Sequence, residues 1–189
     1  MHDAGQTSGV KLTREQILQA LGELDRALAE RGVLGEICLF GGAVMVLAYN
    51  ARLATRDVDA VFQPAGVVRE LAERVATVCG LPRDWLNDGV KGFLSRRHDV
   101  VVGNLPQLAS LRLTMPTPEY LLAMKCMASR LGIAAGEADD AADIVFLIRH
   151  LGLRSPEAVL GIVSAYYPPG EVPVRTRFLV ESLFEEGRV

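Results

Sequence analysis

Cysteine, histidine and long apolar runs are scarce in this sequence of 189 residues. The three cysteines, Cys38, Cys79 and Cys126, stand far apart, and no two of them form a C-x-x-C pair. This spacing excludes a disulfide framework and, with only three histidines, argues against a zinc cluster. No stretch approaches the roughly 18 consecutive apolar residues of a membrane span, and the polar start has no signal-peptide core. We therefore expect a soluble, cytoplasmic protein with no membrane partner.

An excess of basic residues is also missing, since 20 Lys and Arg against 23 Asp and Glu give a formal net charge of -3. This balance argues against a general nucleic-acid-binding scaffold, although it permits a local basic patch. Neither the G-x-G-x-x-G pattern of dinucleotide-binding proteins nor a P-loop is present. Half of the residues are hydrophobic, so the chain can bury a core and wholesale disorder is excluded.

Hydrophobic periodicity predicts an α+β fold with a small mixed sheet flanked by helices and a helical C-terminal part. Cap residues mark helix starts at Thr13, Thr117 and Ser155, and the first helix should end at Arg31-Gly32. Residues 50–56 are predicted as a loop and 87–89 as a turn, and the helix after Thr117 should reach Leu131. Short apolar runs predict strands at 36–40, 57–62, 100–102 and 111–114. We divide the chain into a flexible tail (1–11), an α/β core (12–115) and a helical part that closes the cleft (116–189).

Two glycines and two aspartates form the pattern that carries chemistry. Gly41-Gly42 follows a predicted strand and opens a helix, where backbone N–H groups can approach an anion. Asp57 and Asp59 alternate along the next strand, so both carboxylates should point to the same face. Two neighbouring carboxylates are best relieved by a divalent cation, and Mg²⁺ commonly takes one or two carboxylates plus substrate phosphates. The pattern therefore predicts a site for Mg²⁺ and a nucleoside triphosphate.

Each of these residues also has a purely structural interpretation. Gly41-Gly42 can be an ordinary strand–helix turn, and Asp57 and Asp59 can be solvated residues of an edge strand. Arg52 and Arg56 either neutralise the aspartates or bind phosphate or a nucleic-acid backbone. These alternatives stay open at the level of the sequence.

The segment from Leu39 to Asp59 resembles the polymerase-β-type nucleotidyltransferase superfamily. Its shared pattern is an apolar strand, a Gly-Gly or Gly-Ser pair, a short helix and Asp-x-Asp on the next strand. The Arg52-x-x-Thr55 that precedes the aspartates is similar to the branch found in bacterial toxin–antitoxin and abortive-infection systems. The resemblance implies a nucleotidyltransferase fold, with Asp57 and Asp59 as metal ligands and catalytic residues. It also implies that Gly41, Gly42, Arg52, Thr55, Arg56 and Lys125 bind the nucleotide.

The second half of the chain extends this resemblance. Residues 118–125 are similar to a helix of that branch that carries a lysine, and Asp140-x-x-Asp143-Ile144 is similar to its next motif. The resemblance implies that Lys125 is a catalytic residue that contacts the triphosphate or stabilises its developing charge. It also implies that Asp140 or Asp143 supports the site or orients Lys125. Lys125 can equally extend its charged end from an apolar helix, and aspartates near a helix start favour the helix dipole regardless of function.

Two positions differ from the family pattern. Gly42 stands where serine is often found, so the backbone would have to supply that phosphate contact. Active members often carry a third carboxylate on a later strand as the general base, and here Asp99, just before Val100, is the candidate.

The resemblance predicts a Mg²⁺-dependent enzyme that moves a nucleotidyl group from a nucleoside triphosphate to a hydroxyl group. The acceptor would be an RNA end, such as that of a tRNA, or a protein, and a cognate toxin or antitoxin is a further expected partner. The alternative is an inactive protein of the same fold that acts as a binding module or antitoxin. A third reading, a drug-modifying nucleotidyltransferase, differs from the first only in its acceptor.

Overall fold

The computed structural model describes residues 11–129 and 137–189, so the predicted tail lies outside it apart from Lys11. Within these residues the helices are α1 (Arg14–Glu30), α2 (Gly41–Leu47), α3 (Ala65–Cys79), α4 (Pro118–Ala128), α5 (Glu137–His150), α6 (Pro156–Tyr166) and α7 (Val174–Glu185). The strands are β1 (Leu12–Thr13), β2 (Gly35–Leu39), β3 (Ala54–Thr55), β4 (Val58–Gln63), β5 (Leu86–Asn87), β6 (Val100–Val101) and β7 (Leu111–Pro116). Short 3₁₀ helices cover Gly89–Phe93 and Pro169–Glu171.

Five of these strands form one mixed sheet in the order β5-β4-β2-β7-β6. Strand β4 runs antiparallel to β2 and parallel to β5, and β6 runs antiparallel to β7. Helices flank this sheet, and α4–α7 make up a helical C-terminal part. The predicted α+β class is therefore confirmed. Among the described residues, no helix combines the length and apolar character needed to cross a membrane.

The described residues divide into two compact units. The first takes the residues up to Asp88 together with Asn104–Leu113, and the second takes Gly89–Gly103 and the residues from Thr114 onward. Strand β7 contributes its first three residues to one unit and its last three to the other.

Helices α1 and α3 pack against each other in the first unit. Helix α1 begins as its sequence predicts, because Thr13 and Gln16 form a capping box that satisfies backbone N–H groups at both positions. Buried leucines at helical spacing, such as Leu21, Leu24 and Leu28, form its inner face. Helix α3 ends at Gly80, whose left-handed backbone (φ 65°) is the usual glycine helix stop.

Strand β4, helix α3 and strand β5 form a β-α-β unit, which explains why β5 runs parallel to β4. Trp85 fixes the start of β5, since its ring is fully buried and its Nε1 donates to the Ala72 carbonyl on α3 at 3.0 Å. The Trp85 carbonyl in turn accepts from the backbone N–H of Val58 at 2.6 Å. Asn87, the next residue but one after Trp85, is therefore held beside β4.

The start of α1 also holds the end of α2. Strands β1 and β3 pair antiparallel, with Leu12 opposite Thr55. Arg14 follows β1 and donates from Nη1 to the carbonyls of Val46 (2.9 Å) and Leu47 (2.6 Å). These carbonyls belong to the last turn of α2, where no helical partner is available. Residues 48–56 are thus held at both ends.

Helix α4 packs against α5, α6 and α7 in the second unit. Its start is confirmed, because Thr117 accepts from the Tyr120 N–H and Pro118 occupies the first turn. Tyr120 is fully buried and stacks on Tyr166 of α6 with ring centroids 4.8 Å apart. The Tyr120 hydroxyl accepts a hydrogen bond from the Ser95 N–H at 3.0 Å.

Three predictions of local structure were wrong or incomplete. Leu86–Asn87 is a strand rather than the start of a turn, and the predicted loop 50–56 contains strand β3. Neither strand exceeds two residues, so neither has a hydrophobic period that a sequence can show. Helix α4 ends at Ala128, before its predicted end, and Leu131 lies outside the described residues.

Candidate functional site

The glycine turn lies between β2 and α2. Phe40 is extended, its N–H donates to the Asp59 carbonyl at 2.8 Å, and Gly41 follows with φ 58°. That left-handed backbone favours glycine. A β-carbon on Gly41 would lie 2.9 Å from Oδ2 of Asp59. Glycine therefore lets the Asp59 carboxylate lie directly against the backbone of the turn.

Gly42 is enclosed by the loop that leads to β4. A β-carbon there would collide with Oγ1 of Thr55, and it would lie 3.0 Å from Thr55 Cβ and 3.3 Å from Arg52 Nη1. Thr55 is buried and Arg52 is half-buried. A hydroxyl group and a guanidinium group thus lie beside the turn, which is the chemistry that a phosphate group recognises.

Asp57 directly precedes β4 and is half-buried. Its Oδ2 accepts a hydrogen bond from Nδ2 of Asn87 at 2.9 Å. Burial raises the pKa of the Asp57 carboxyl, and the charge of Asp84 acts in the same direction. The hydrogen bond from Asn87 and the charge of Arg56 oppose this rise in the pKa. The carboxylate is therefore partly desolvated, and a bound cation would favour its charged form.

We call Gly41, Gly42, Arg52, Thr55, Asp57 and Asp59 the glycine–aspartate cluster. All of them belong to the first unit, on α2, β3, β4 and the loop between them. Arg56, also predicted to bind nucleotide, is exposed and reaches the cluster through its charge on Asp57. The structure thus brings Arg52, Thr55 and Asp59 together at the Gly41-Gly42 turn, whereas Asp57 is placed by its hydrogen bond with Asn87.

Lys125 lies in the second unit, with Asp140 and Asp143. It is a buried residue of α4, and its Nζ lies 2.8 Å from Asp140 Oδ1 and 2.6 Å from Asp143 Oδ2, both on α5. Asp143 is buried, whereas the side chain of Asp140 is 41% exposed. We call these three residues the lysine–aspartate cluster. The ion pairs hold the Lys125 ammonium group in place, and its predicted role toward a triphosphate stays a prediction.

Asp99 lies in the second unit as well. Its Oδ2 accepts a hydrogen bond from the Tyr166 hydroxyl at 2.7 Å. The same oxygen forms an ion pair with Arg97, whose Nε lies 2.7 Å away. The guanidinium of Arg97 also lies over the Tyr166 ring, 5.1 Å from its centroid. Burial raises the pKa of the Tyr166 hydroxyl, so it stays a donor at neutral pH. The predicted role of Asp99 as a general base stays a prediction.

Asn87 was missed in the sequence, where residues 87–89 indicated only a turn. It belongs to β5, and its register partner on β4 is Asp59, while its amide donates to Asp57. The usable signal was the order strand, helix, strand, because a strand that returns through a helix pairs parallel with the first strand. A polar residue on that returning strand lies beside the aspartates.

The donor set fits a magnesium ion that also binds a triphosphate. Among the described residues, no group of three or more His, Cys, Asp or Glu side chains is arranged to hold a metal ion. Two carboxylates with phosphate oxygens and water are a common ligand set for Mg²⁺. Asp59 lies against the glycine turn, since a β-carbon on Gly41 would meet its carboxylate, so one of the two carboxylates is next to the backbone of the turn.

Comparisons with known proteins give no family assignment: no family model, curated protein or solved structure matches this chain.

Proposed function

We propose that this protein is a nucleotidyltransferase of the polymerase-β type, which uses a divalent cation to move a nucleotidyl group from a nucleoside triphosphate to a hydroxyl acceptor. One observation carries the proposal: the Asp59 carboxylate lies against Gly41, and Thr55 and Arg52 lie against the adjacent Gly42. Carboxylates for a cation and donors for phosphate thus occur in one place.

In the proposed reaction, an acceptor hydroxyl oxygen attacks the α-phosphorus of the triphosphate. The bond from that phosphorus to the bridging oxygen breaks, pyrophosphate leaves, and the hydroxyl proton passes to water. Asp57 and Asp59 would hold a magnesium ion, which when bound neutralises phosphate charge and lowers the pKa of the attacking hydroxyl. Arg52 and the Thr55 hydroxyl would contact phosphate oxygens. Lys125 would add positive charge, as the family resemblance implies.

The acceptor in this proposal is an RNA end, such as that of a tRNA, or a protein side chain. Arg56 is exposed on the loop that leads to β4, where it would contact the backbone of an RNA acceptor. We place the activity in the cytoplasm, in a toxin–antitoxin system with a cognate partner protein.

The test is calorimetric titration of each nucleoside triphosphate with Mg²⁺ into the wild-type protein and into Asp57→Asn/Asp59→Asn. We expect binding by the wild type that needs Mg²⁺ and is lost in the double variant. Asp88→Asn is the matched control, because it removes a carboxylate of the same unit whose partner is Arg69 on α3. The absence of triphosphate binding in a folded wild-type protein would refute the proposal.

A second candidate function is a non-catalytic binding module or antitoxin of the same fold. It is favoured by Asp99, whose carboxylate already binds Arg97 and Tyr166. These two partners, both in the second unit, already engage the carboxylate proposed as the general base. Incubation with labelled triphosphate, bulk tRNA and the product of a neighbouring gene separates the two functions. If the protein is a binding module, we expect a stable complex with that gene product and no labelled product from the triphosphate.

A further inference from the structure

Asn87 contacts the candidate site from the neighbouring strand. It is the register partner of Asp59 in the parallel pair of β4 and β5, and its Nδ2 donates to Asp57 Oδ2 at 2.9 Å. Side chains of register partners in a sheet project to the same face. The carboxamide of Asn87 is therefore a neighbour of both aspartates, although it comes about thirty residues later in the chain.

The position of Asn87 is fixed by its neighbours rather than by its own strand length. Strand β5 has only two residues, but the buried side chains of Trp85 and Leu86 anchor it. Trp85 also makes hydrogen bonds to Ala72 on α3 and to Val58 on β4. The Asn87 side chain therefore has little freedom to move away from Asp57 and Asp59.

The chemistry of a carboxamide suits a site that alternates between an empty and a cation-bound state. Its NH₂ group donates to a carboxylate, as Asn87 does to Asp57, and its carbonyl oxygen is an accepted ligand for Mg²⁺ and Ca²⁺. Unlike a carboxylate it adds no charge. Because residue 87 is an asparagine, the set of Asp57, Asp59 and Asn87 contains two carboxylates rather than three.

We propose that Asn87 is the neutral third member of the donor set formed by Asp57 and Asp59, and that it positions Asp57 toward a divalent cation. This inference rests on the proposed function for the identity of the cation site. It adds that the charge of the site is set at residue 87. An aspartate there converts a site that needs phosphate oxygens into one that holds a cation by itself.

The experiment is a titration of Mn²⁺ alone, followed by electron paramagnetic resonance, into the wild type, Asn87→Asp, Asn87→Ala and Asn104→Asp. Asn104 is an exposed residue of the same unit, so Asn104→Asp adds the same charge elsewhere on the surface. We expect Asn87→Asp to bind one Mn²⁺ at least about tenfold more tightly than Asn104→Asp, because added ligand charge raises the affinity for a hard cation. This gain should disappear when Asp57→Asn is added.

Asn87→Ala tests the positioning role with Mg²⁺ and nucleoside triphosphate. The loss of a partner that orients a metal ligand commonly costs about 10–100-fold in metal affinity, and we expect a loss of that size. Asn87→Asp is nearly isosteric and should fold. Far-ultraviolet circular dichroism of all variants separates a loss of binding from a loss of structure.

The two proposals fail in different ways. If the wild type binds Mg²⁺-triphosphate through Asp57 and Asp59, but Asn87→Asp binds Mn²⁺ no better than Asn104→Asp, the role of Asn87 is overturned and the proposed function stands. If the wild type binds no triphosphate, but Asn87→Asp gains a Mn²⁺ ion that depends on Asp57, the proposed function falls and the donor set is supported.

Discussion

Oγ1 of Thr55 lies inside contact distance of the point that a β-carbon on Gly42 would occupy. Thr55 therefore fills the space that any larger residue at position 42 needs. A serine at that position, common in the family that the sequence resembles, does not fit beside Thr55. A hydroxyl group is nevertheless present next to the turn, but it comes from residue 55.

Gly42→Ala should lower the free energy of unfolding by about 1–3 kcal/mol, the usual cost of forcing an extra group into a packed site. Adding Thr55→Gly should recover part of this loss, because it removes the two Thr55 atoms that the new β-carbon meets and leaves only Arg52 Nη1. Urea denaturation of the four members of the double-mutant cycle measures the coupling.

Gly22→Ala is the control for this cycle. Gly22 lies within α1, and nothing lies within 4 Å of the position of its β-carbon. Alanine there should stabilise the protein by about 0.5–1 kcal/mol through helix propensity. Equal effects of alanine at residues 22 and 42 would contradict the steric relationship with Thr55.

Asp57→Asn should stabilise the protein at neutral pH while it removes a proposed metal ligand. Burial raises the pKa of Asp57 above its ordinary value of 3.8, so between the unfolded and folded pKa values the native state retains a proton that the unfolded state has lost. The contribution of Asp57 to the free energy of unfolding of the wild type therefore falls as the pH rises from the unfolded to the folded pKa value. The advantage of Asp57→Asn should be present above the folded pKa and vanish below pH 3.8.

Thermal unfolding from acidic to neutral pH measures this advantage. We expect a higher Tm for Asp57→Asn than for the wild type at pH 7, and no such difference below pH 3.8. Asp88→Asn gives the baseline for loss of a carboxylate that pairs with Arg69. A lower Tm for Asp57→Asn at pH 7 would show that its hydrogen bond with Asn87 outweighs its burial.

Lys125→Met should be among the most destabilising changes in the second unit. It leaves the buried carboxylate of Asp143 without its cation, and breaking a buried ion pair typically costs about 3–5 kcal/mol. Adding Asp143→Asn should recover much of the loss, since no buried charge then remains at that pair. Chemical denaturation of the single and double variants measures both effects.

Asp140→Asn is the matched comparison, because Asp140 pairs with the same lysine but is 41% exposed. We expect it to cost only about 0–1 kcal/mol, as is usual for exposed ion pairs. Similar losses in Asp140→Asn and Asp143→Asn would mean that burial does not govern this cluster.

Tyr166→Phe should lower the free energy of unfolding by about 1.5–3 kcal/mol, the range for a hydrogen bond to a charged group. It removes the donor to Asp99 and keeps the ring that stacks on Tyr120. The loss should shrink in an Asp99→Asn background, which a double-mutant cycle in urea would detect. Tyr167→Phe, which removes a hydroxyl bonded to the Phe93 carbonyl, is the control with a neutral acceptor.

The sequence predicts the starts of helices α1, α4 and α6 well, because the causes of these starts are local. Thr13, Thr117 and Ser155 each accept a backbone N–H from the first turn of the helix that they precede. A side chain that caps a helix needs only its own neighbours in the chain, so the sequence alone contains the information.

Contacts between distant segments were predictable only as types of residue. The sequence indicates that Gly41, Gly42, Asp57 and Asp59 belong together, but not that Thr55 would exclude a side chain at residue 42. The sequence does not indicate the role of Asn87, because the neighbours of Asn87 on β4 are known only from the parallel pairing of β5 with β4. Two-residue strands lack the periodicity from which such a pairing is inferred.

The two hydrogen bonds that Arg14 donates to the end of α2 span 32 and 33 residues of sequence. With the pairing of Leu12 and Thr55, they tie the segment that carries Arg52 to the first described residues of the chain. A truncation or fusion within residues 11–14 would therefore release the backbone around Thr55 and speed its amide exchange, without touching any residue of the glycine–aspartate cluster. Residues 11–14 should therefore be kept unchanged in any protein used to test for nucleotide binding.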